Sequence, residues 1–318
     1  MTETPRVVVV VLNWNGADDT IACVRSLNAA EYCELDVVVV DNGSSDDSLL
    51  RIARAQLNCV VLPTGENLGC SGGYNVGIRY ALARSAAVIG VLNNDTIVDP
   101  QFLGPLVDEL QRVHSFLAVS PIIYYHDEPT RVWFSGTSHS NTLGRPVHTL
   151  PSEGVAPSYL SGCAIFACAH TWKEVGLFDE RFFLYFEDVE WSARCMSKGV
   201  ALSTVRHSSI THKVSRSIGN IGGASSYLFA RNGAITARHL DSTRGQVELR
   251  SFMLASVIRP HLRAVLRGGD RPLRGLLLAL AGLTAGITRG RGGPPPRWVQ
   301  VVAGSSLSRP TSTGERSP

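Results

Sequence analysis

Hydrophobic and polar positions over residues 7–95 fall into a repeating block: a short β-branched run, a polar turn, then a stretch of helical periodicity. Val7 to Leu12 is an unbroken apolar run, the pattern of a strand buried on both faces of a parallel sheet. A polar turn (13–19) leads into a helix predicted from about Thr20 to Asn28. Asp36 to Val40 is the second run and ends in Asp41-Asn42-Gly43-Ser44-Ser45-Asp46, where Ser45 or Asp46 suits the cap of a helix reaching to about Gln56. Cys59 to Leu62 reads as a third strand. Asn67-Leu68-Gly69-Cys70-Ser71-Gly72-Gly73 then opens a helix to about Ala86, and Val88 to Leu92 is a fourth strand closing on Asn93-Asn94-Asp95. Strands alternating with helices in this way predict an α/β fold with a doubly wound, mostly parallel sheet flanked by helices. Ligands of such sheets bind at the carboxyl ends of the strands. Here those ends carry Asn13, Asp41 and Asp95.

After Asp95 the alternation breaks. A helix from about Asp99 to His114 precedes strand-like pieces at Leu117–Tyr125 and Arg131–Ser135, then a polar loop holding Gly144 and Pro146. Tyr159 to Ala169 reads as a further buried strand, followed by a short helix ending near Gly176. Glu187 to Lys198 is helical, with Asp188 and Glu190 in its first turn. Periodicity is again helical from about Gly222 to Arg267. Residues 291–318, rich in Gly, Pro, Ser and Arg, read as a disordered tail.

Composition narrows the class. Hydrophobic residues at 44% and charged residues at 18% describe a globular chain. A formal charge of +3, without basic residues interleaved with aromatics, argues against a nucleic-acid partner. Seven cysteines contain no C-x-x-C pair, which removes a zinc ribbon or thioredoxin motif. Met1 to Arg6 has no basic and apolar leader pattern, so no signal peptide is expected and a reducing cytoplasm fits best.

Charge is uneven, with ten arginines against two acids between Arg244 and Arg297. Within that span Leu276 to Thr288 is apolar and uncharged, flanked by Arg271, Arg274, Arg289 and Arg291. A bilayer span takes about 20 apolar residues, so this segment is too short to cross. Two readings stand for 271–291: a peripheral helix on anionic headgroups at the inner face of a membrane, or a helix packed on the core or on a partner subunit. Gly282 and Gly286 suit close packing.

Each candidate chemical motif is weak alone. Asn93-Asn94-Asp95 puts a carboxylate at the sheet edge, where it can hold Mg²⁺ or Mn²⁺ with phosphate oxygens, or merely shape a turn. The glycines of Asn67–Gly77 permit close approach to a ligand, yet match neither a Walker A nor a Rossmann fingerprint. Phe182 to Glu190 sets three acids behind five apolar residues. A carboxylate desolvated by those aromatics can serve as a base; equally, acids favour the first turn of a helix. Trp133, Trp172 and Trp191 fit a core or an acceptor platform.

Taken in order, these motifs resemble the family-2 glycosyltransferases, inverting enzymes of GT-A fold. The resemblance covers about residues 5 to 240. It is carried by Val11-Leu12-Asn13-Trp14-Asn15-Gly16, Val40 to Asp46, Asn67-Leu68-Gly69 through Gly73-Tyr74-Asn75, Asn93-Asn94-Asp95, and Phe186-Glu187-Asp188-Val189-Glu190. The Asn-Trp-Asn-Gly and Tyr-Phe-Glu-Asp wording is most similar to the rhamnosyltransferase-like branch, transferring a hexosyl or deoxyhexosyl unit.

The resemblance implies a nucleotide-diphosphate sugar donor, with Asp41 on the nucleobase and Asn13 and Asn67 lining the pocket. Asn15, Asn42, Gly69, Gly73, Asn75 and Asn94 complete that binding set. Asp188 matches the catalytic base, and Asp95 with His212 the ligands of a divalent cation, Mg²⁺ or Mn²⁺. Asn93 replaces the first acid of the family's Asp-x-Asp motif, leaving one carboxylate there. The implied layout is a transferase domain over 1–240 (donor half about 1–98, acceptor half about 99–240) and a helical extension over 241–290. The acceptor class stays open between a glycan, a lipid-linked acceptor and a small molecule, as does a homo-oligomer.

Two rivals remain. A nucleotidyltransferase needs a basic Gly-rich loop after the first strand, and Asn13-Trp14-Asn15-Gly16-Ala17 has no basic residue. A non-catalytic nucleotide-sugar-binding protein does not need Asp188. A retaining mechanism needs a carboxylate nucleophile, for which Glu187 or Glu190 is available.

Overall fold

The valine runs form the middle of one nine-stranded sheet in the computed structural model. It describes residues 4–112, 116–136, 156–214, 224–239, 270–288 and 292–299, with 259 and 262 besides. The strands are β1 (Val7–Asn13), β2 (Leu35–Asp41), β3 (Val60–Pro63), β4 (Val88–Asn93), β5 (Thr96–Val98), β6 (Leu117–Tyr125), β7 (Val132–Phe134), β8 (Ala164–Cys168) and β9 (Ala201–His212). Their order is β3-β2-β1-β4-β8-β6-β9-β5, with β7 paired to β6. β1 runs parallel to β2 and β4, β2 to β3, and β6 to β9. β8 is antiparallel to both β4 and β6, which makes the sheet mixed where the predicted alternation broke.

Alternate residues of β1 explain its unbroken run. Val7, Val9 and Val11 face one core, shared with Phe102 and Leu106, while Val8 and Val10 face the other, shared with Tyr74 and Trp172. Helices cover both faces: α1 (Ala17–Asn28), α2 (Ser48–Arg54), α3 (Gly69–Ala83), α4 (Leu103–Arg112), α5 (Ala169–Val175) and α6 (Glu187–Ser197). A Cβ on Gly77 would lie 2.2 Å from Val10 Cγ1, so glycine lets α3 lie directly on β1. Trp172 and Trp191 stack at 4.4 Å, both fully buried, and belong to the core.

Several boundaries differ from the sequence expectation. α1 starts at Ala17 rather than Thr20, since Asp18 and Asp19 occupy its first turn, where the helix dipole favours acids. α2 starts at Ser48, and Asp46 serves it by accepting the Ser48 N–H at 3.0 Å. The strand expected over 159–169 contracts to β8, because 159–163 turns away towards α6. β5 and the twelve-residue β9 were not anticipated.

Beyond the sheet, α7 (Ala224–His239) pairs with α8 (Asp270–Thr288). A Cβ on Gly282 would sit 2.2 Å from the Tyr227 carbonyl oxygen and one on Gly286 2.5 Å from that of Arg231, so the glycine face of α8 is pressed onto α7. Residues 240–267 of the expected helical stretch lie outside the described residues apart from 259 and 262. So does most of the expected tail. Residues 292–299, however, pack on the pair, with Val299 fully buried and the Gly293 carbonyl accepting from Arg231 at 2.6 Å. Composition alone missed the apolar anchor within that Gly/Pro-rich segment.

Candidate active site

Parallel pairing of β1 with β2 and β4 brings three polar strand ends together, Asn13 lying opposite Asp41 and Leu12 opposite Asn93. Asn13 Nδ2 donates to Asp41 Oδ1 at 2.7 Å, and the Ser44 hydroxyl donates to the same oxygen at 2.6 Å. Asn13 Oδ1 accepts from Thr20 Oγ1 at 2.7 Å. Asn15 accepts the Ser45 N–H at 2.8 Å, fixing the loop after β2. Asn42 reaches the opening of α3, accepting the Leu68 N–H at 3.0 Å and donating to the Gly69 carbonyl at 3.0 Å. Asn67 accepts the Gly69 N–H at 2.9 Å. Gly69 has φ +76°, and a Cβ there would come within 2.4 Å of the Phe183 carbonyl oxygen. Gly73 likewise packs against Leu12.

These ends open onto a cavity of about 370 Å³. Of the residues singled out from sequence, Asn42, Asn67, Gly69, Asn94, Asp95, Asp188 and His212 line it. Asn13, Asn15, Asp41 and Gly73 do not line it. Asn75 is placed differently: its amide donates to the Phe178 carbonyl and to Glu180 Oε1, both at 2.9 Å, and so ties α3 to the 178–180 turn. Trp14, Trp133, Ser161, Gly162 and Tyr185 also line the cavity.

Asp188 is held by backbone. Gly162 N–H donates to its Oδ2 at 2.8 Å and Val189 N–H to its Oδ1 at 2.8 Å. This is why 159–163 leaves the sheet. Burial raises the Asp188 pKa above its ordinary value, against the pull of those N–H groups. Glu187 is 8% exposed, and its Oε2 has no partner. Burial, and then the neighbouring Asp188 charge, pushes its pKa up to about 8. The chain enters α6 through two consecutive left-handed residues, Tyr185 (φ 70°) and Phe186 (φ 69°). Bulky residues adopt that conformation only when their surroundings impose it.

The imposing group is Asn232, fully buried on α7. Its Nδ2 donates to the Leu184 carbonyl at 2.8 Å and the Tyr185 carbonyl at 3.0 Å, and Arg231 Nε orients it by donating to Oδ1 at 2.9 Å. Sequence reading missed Asn232; an asparagine–arginine pair inside an apolar helix was its one visible signal. Asn232→Ala strands two buried carbonyls, so it is expected to cost about 1–3 kcal/mol in denaturant unfolding. An unchanged denaturation midpoint would contradict this brace.

Antiparallel pairing of β5 with β9 sets Thr96 opposite His212, which carries the imidazole to Asp95. His212 Nε2 lies 3.0 Å from Asp95 Oδ1, both residues being buried, and Trp133 packs on the ring at 4.5 Å. His212 Nδ1 is buried without a partner. Tyr74 OH donates to Asn93 Oδ1 at 2.9 Å, so the residue replacing the first acid is engaged within the protein. A carboxylate oxygen and an imidazole nitrogen at the sheet edge fit a cation that takes its other ligands from phosphate and water. No cluster of three or more His, Cys, Asp or Glu with metal-binding geometry occurs among the described residues.

Residues 7–173 match the family described as Glycosyl transferase family 2. The chain is 27% identical over 185 residues to the dTDP-rhamnosyl transferase RfbF of Shigella flexneri, a match spanning 56% of this chain and 60% of that one. It is 25% identical over 296 residues to the N-acetylglucosaminyl-diphospho-decaprenol L-rhamnosyltransferase of Mycobacterium tuberculosis, covering 80% of this chain and 94% of that one. Among solved structures it is similar to the mannosyltransferase PcManGT from Pyrobaculum calidifontis in complex with GDP-Man and Mn²⁺ (TM-score 0.56, 16% identity, 95% of this chain and 80% of that one). It is also similar to S. aureus TarS 1–349 in complex with UDP-GlcNAc (TM-score 0.56, 16% identity, 94% and 84%). At that identity these two likenesses speak for the GT-A fold.

Proposed function

The chain belongs to glycosyl transferase family 2, and from that premise we propose that it moves a hexosyl or deoxyhexosyl unit from a nucleotide-diphosphate sugar to an acceptor hydroxyl, in one displacement with inversion. The observation that carries this reading is Asp188, a carboxylate fixed through both oxygens by backbone N–H groups in the cavity that also holds Asp95 and His212. Asp188 takes the acceptor hydroxyl proton; that oxygen bonds to the anomeric carbon as the bond to the diphosphate breaks, and the diphosphate leaves with the electron pair. Asp95 and His212 are the residues that would hold a divalent cation, Mg²⁺ or Mn²⁺, which supplies charge neutralisation on the leaving diphosphate. Asn42, Asn67 and Gly69 form the donor wall. Trp133 and Tyr185 offer ring faces to the acceptor or the sugar.

The names of the relatives favour rhamnose as the sugar and a lipid-linked glycan as the acceptor. The proposed setting is the cytoplasm. The test is nucleoside-diphosphate release from a panel of dTDP-, UDP- and GDP-sugars, with Mn²⁺ or with EDTA, and NMR assignment of the product anomer. Release with inversion is expected. A retained configuration would point instead to a carboxylate nucleophile, with Glu187 nearest, and no release from any donor would end the transferase reading.

Burial of the Glu187–Asp188 pair sets a pH dependence. The rate is expected to rise with pH through an apparent pKa above the ordinary 3.8 of an aspartate. A carboxyl raised on folding binds its proton more tightly in the native state, so the pair's contribution to stability falls as pH climbs towards 8. Glu187→Gln, which mimics the neutral side chain, should flatten that fall in melting temperature. An acid limb at or below 3.8 would contradict the burial argument.

A further inference from the structure

The faces of α8 are not equivalent. Gly282 and Gly286 press on α7, while the opposite side carries Leu273 (44% exposed), Leu277 (57%), Leu280 (43%) and Ile287 (51%). Their spacing makes one stripe, about 21 Å long at 1.5 Å per residue. Thr284 and Thr288 share that side, but their hydroxyls donate back to the carbonyls of Leu280 (2.9 Å) and Thr284 (2.8 Å). The stripe therefore presents no hydroxyl in need of water. Trp298, 52% exposed, stands against Tyr227 of α7 at 6.0 Å. Arg274 and Arg297 are exposed.

The fringe is strongly positive: from Asp270 to Val299 the sequence holds five arginines (271, 274, 289, 291 and 297) against one acid, Asp270, the first residue of α8. We propose that this face of α8 docks on the surface of an anionic bilayer, lying in the interface plane with its leucines at the acyl boundary and its arginines among the headgroups. Among the described residues no helix is long and apolar enough to cross a membrane, which leaves the in-plane orientation for α8. A two-fold pairing of two copies through this face would set the same net-positive patch against itself, with only Asp270 on each α8 to answer five arginines. Lipid phosphates supply the missing charge. Trp298, exposed on the α7 side of the pair, is the kind of side chain that favours the headgroup level.

Placement adds a consequence for catalysis. Ala281 and Ala285, on the flank of α8, pack in the same cluster as Leu184 and Tyr185, which line the cavity. Docking would hold that wall of the cavity close to the bilayer. The docking itself stands whether or not the transferase reading holds.

The experiment is flotation of the full chain with phosphatidylglycerol-containing vesicles, with pure phosphatidylcholine vesicles as the comparison. Wild-type protein should float with the anionic vesicles and lose about tenfold in partition without the anionic lipid. The double variant Leu277→Glu/Leu280→Glu should lose about tenfold or more, with an unchanged thermal melt, because both side chains are exposed in the folded chain. Arg274→Glu should weaken flotation at low salt and matter little at high salt. Three results would overturn the proposal. One is equal flotation of wild type and the double variant; another is no flotation by either. The third is wild-type self-association, abolished in the double variant, without lipid binding, which would assign the stripe to a second copy. Nucleoside-diphosphate binding by the same variants reports separately on the transferase reading.

Discussion

Asp188→Asn is expected to lower transfer by about 10²- to 10⁴-fold, the range for loss of a positioned general base. Nucleoside-diphosphate affinity should stay at the wild-type level. The substitution keeps size and an oxygen that can accept one of the two backbone N–H groups, from Gly162 or Val189. The amide nitrogen then faces the other donor, so a modest loss of stability accompanies the loss of basicity. Single-turnover kinetics separates the two effects: a base acts on the bond-forming step and leaves donor capture alone. Wild-type-like turnover in this variant would remove Asp188 from the mechanism. A loss confined to donor KM would make it a binding residue.

The second large effect is expected at Asp95. Asp95→Ala leaves His212 as the remaining member of the pair and removes the carboxylate from the end of β4. Charge neutralisation on a leaving diphosphate is worth several kcal/mol, so kcat/KM should fall by about 10³-fold. Calorimetry should show that Mn²⁺ no longer strengthens nucleoside-diphosphate binding. His212→Ala tests the same pair from β9 and should act in the same direction. Its buried Nδ1 has no partner in the protein, so its loss costs no hydrogen bond on that side. Mn²⁺-dependent binding unchanged in both variants would refute the metal assignment.

The parallel half of the sheet was legible because strands buried on both faces show as unbroken apolar runs, and three such runs, β1, β2 and β4, end on polar residues. Asn13, Asp41 and Asp95 were placed correctly at strand ends for the same reason. Sequence does not separate a residue that lines a cavity from one that pins a turn: Asn42 and Asn13 look alike in the chain, yet only the first reaches the cavity wall. Asn75 looked equivalent and instead ties α3 to the 178–180 turn. β9 was hidden by composition. Ser203, Thr204, Arg206, His207, Ser208 and Ser209 break its apolar pattern, and its register against β6 shifts at Pro121/Ile122. The segment 159–163 was read as strand because Tyr159 and Leu160 pack into the core as strand residues do, while Ser161, Gly162 and Cys163 turn to line the cavity. Asn232's role was hidden for a deeper reason. Its partners are main-chain carbonyls, and no side chain in the sequence advertises them.

That brace has a bearing on how such chains can diversify. The family match ends at 173, the carboxylate held by backbone comes at 188, and the amide that fixes its approach comes at 232 on another helix. A crossover between relatives placed anywhere from 190 to 230 would import a foreign α7 under an inherited α6 and part the two halves of one mechanical unit. The stretch from 159 to 239 is therefore expected to be inherited whole.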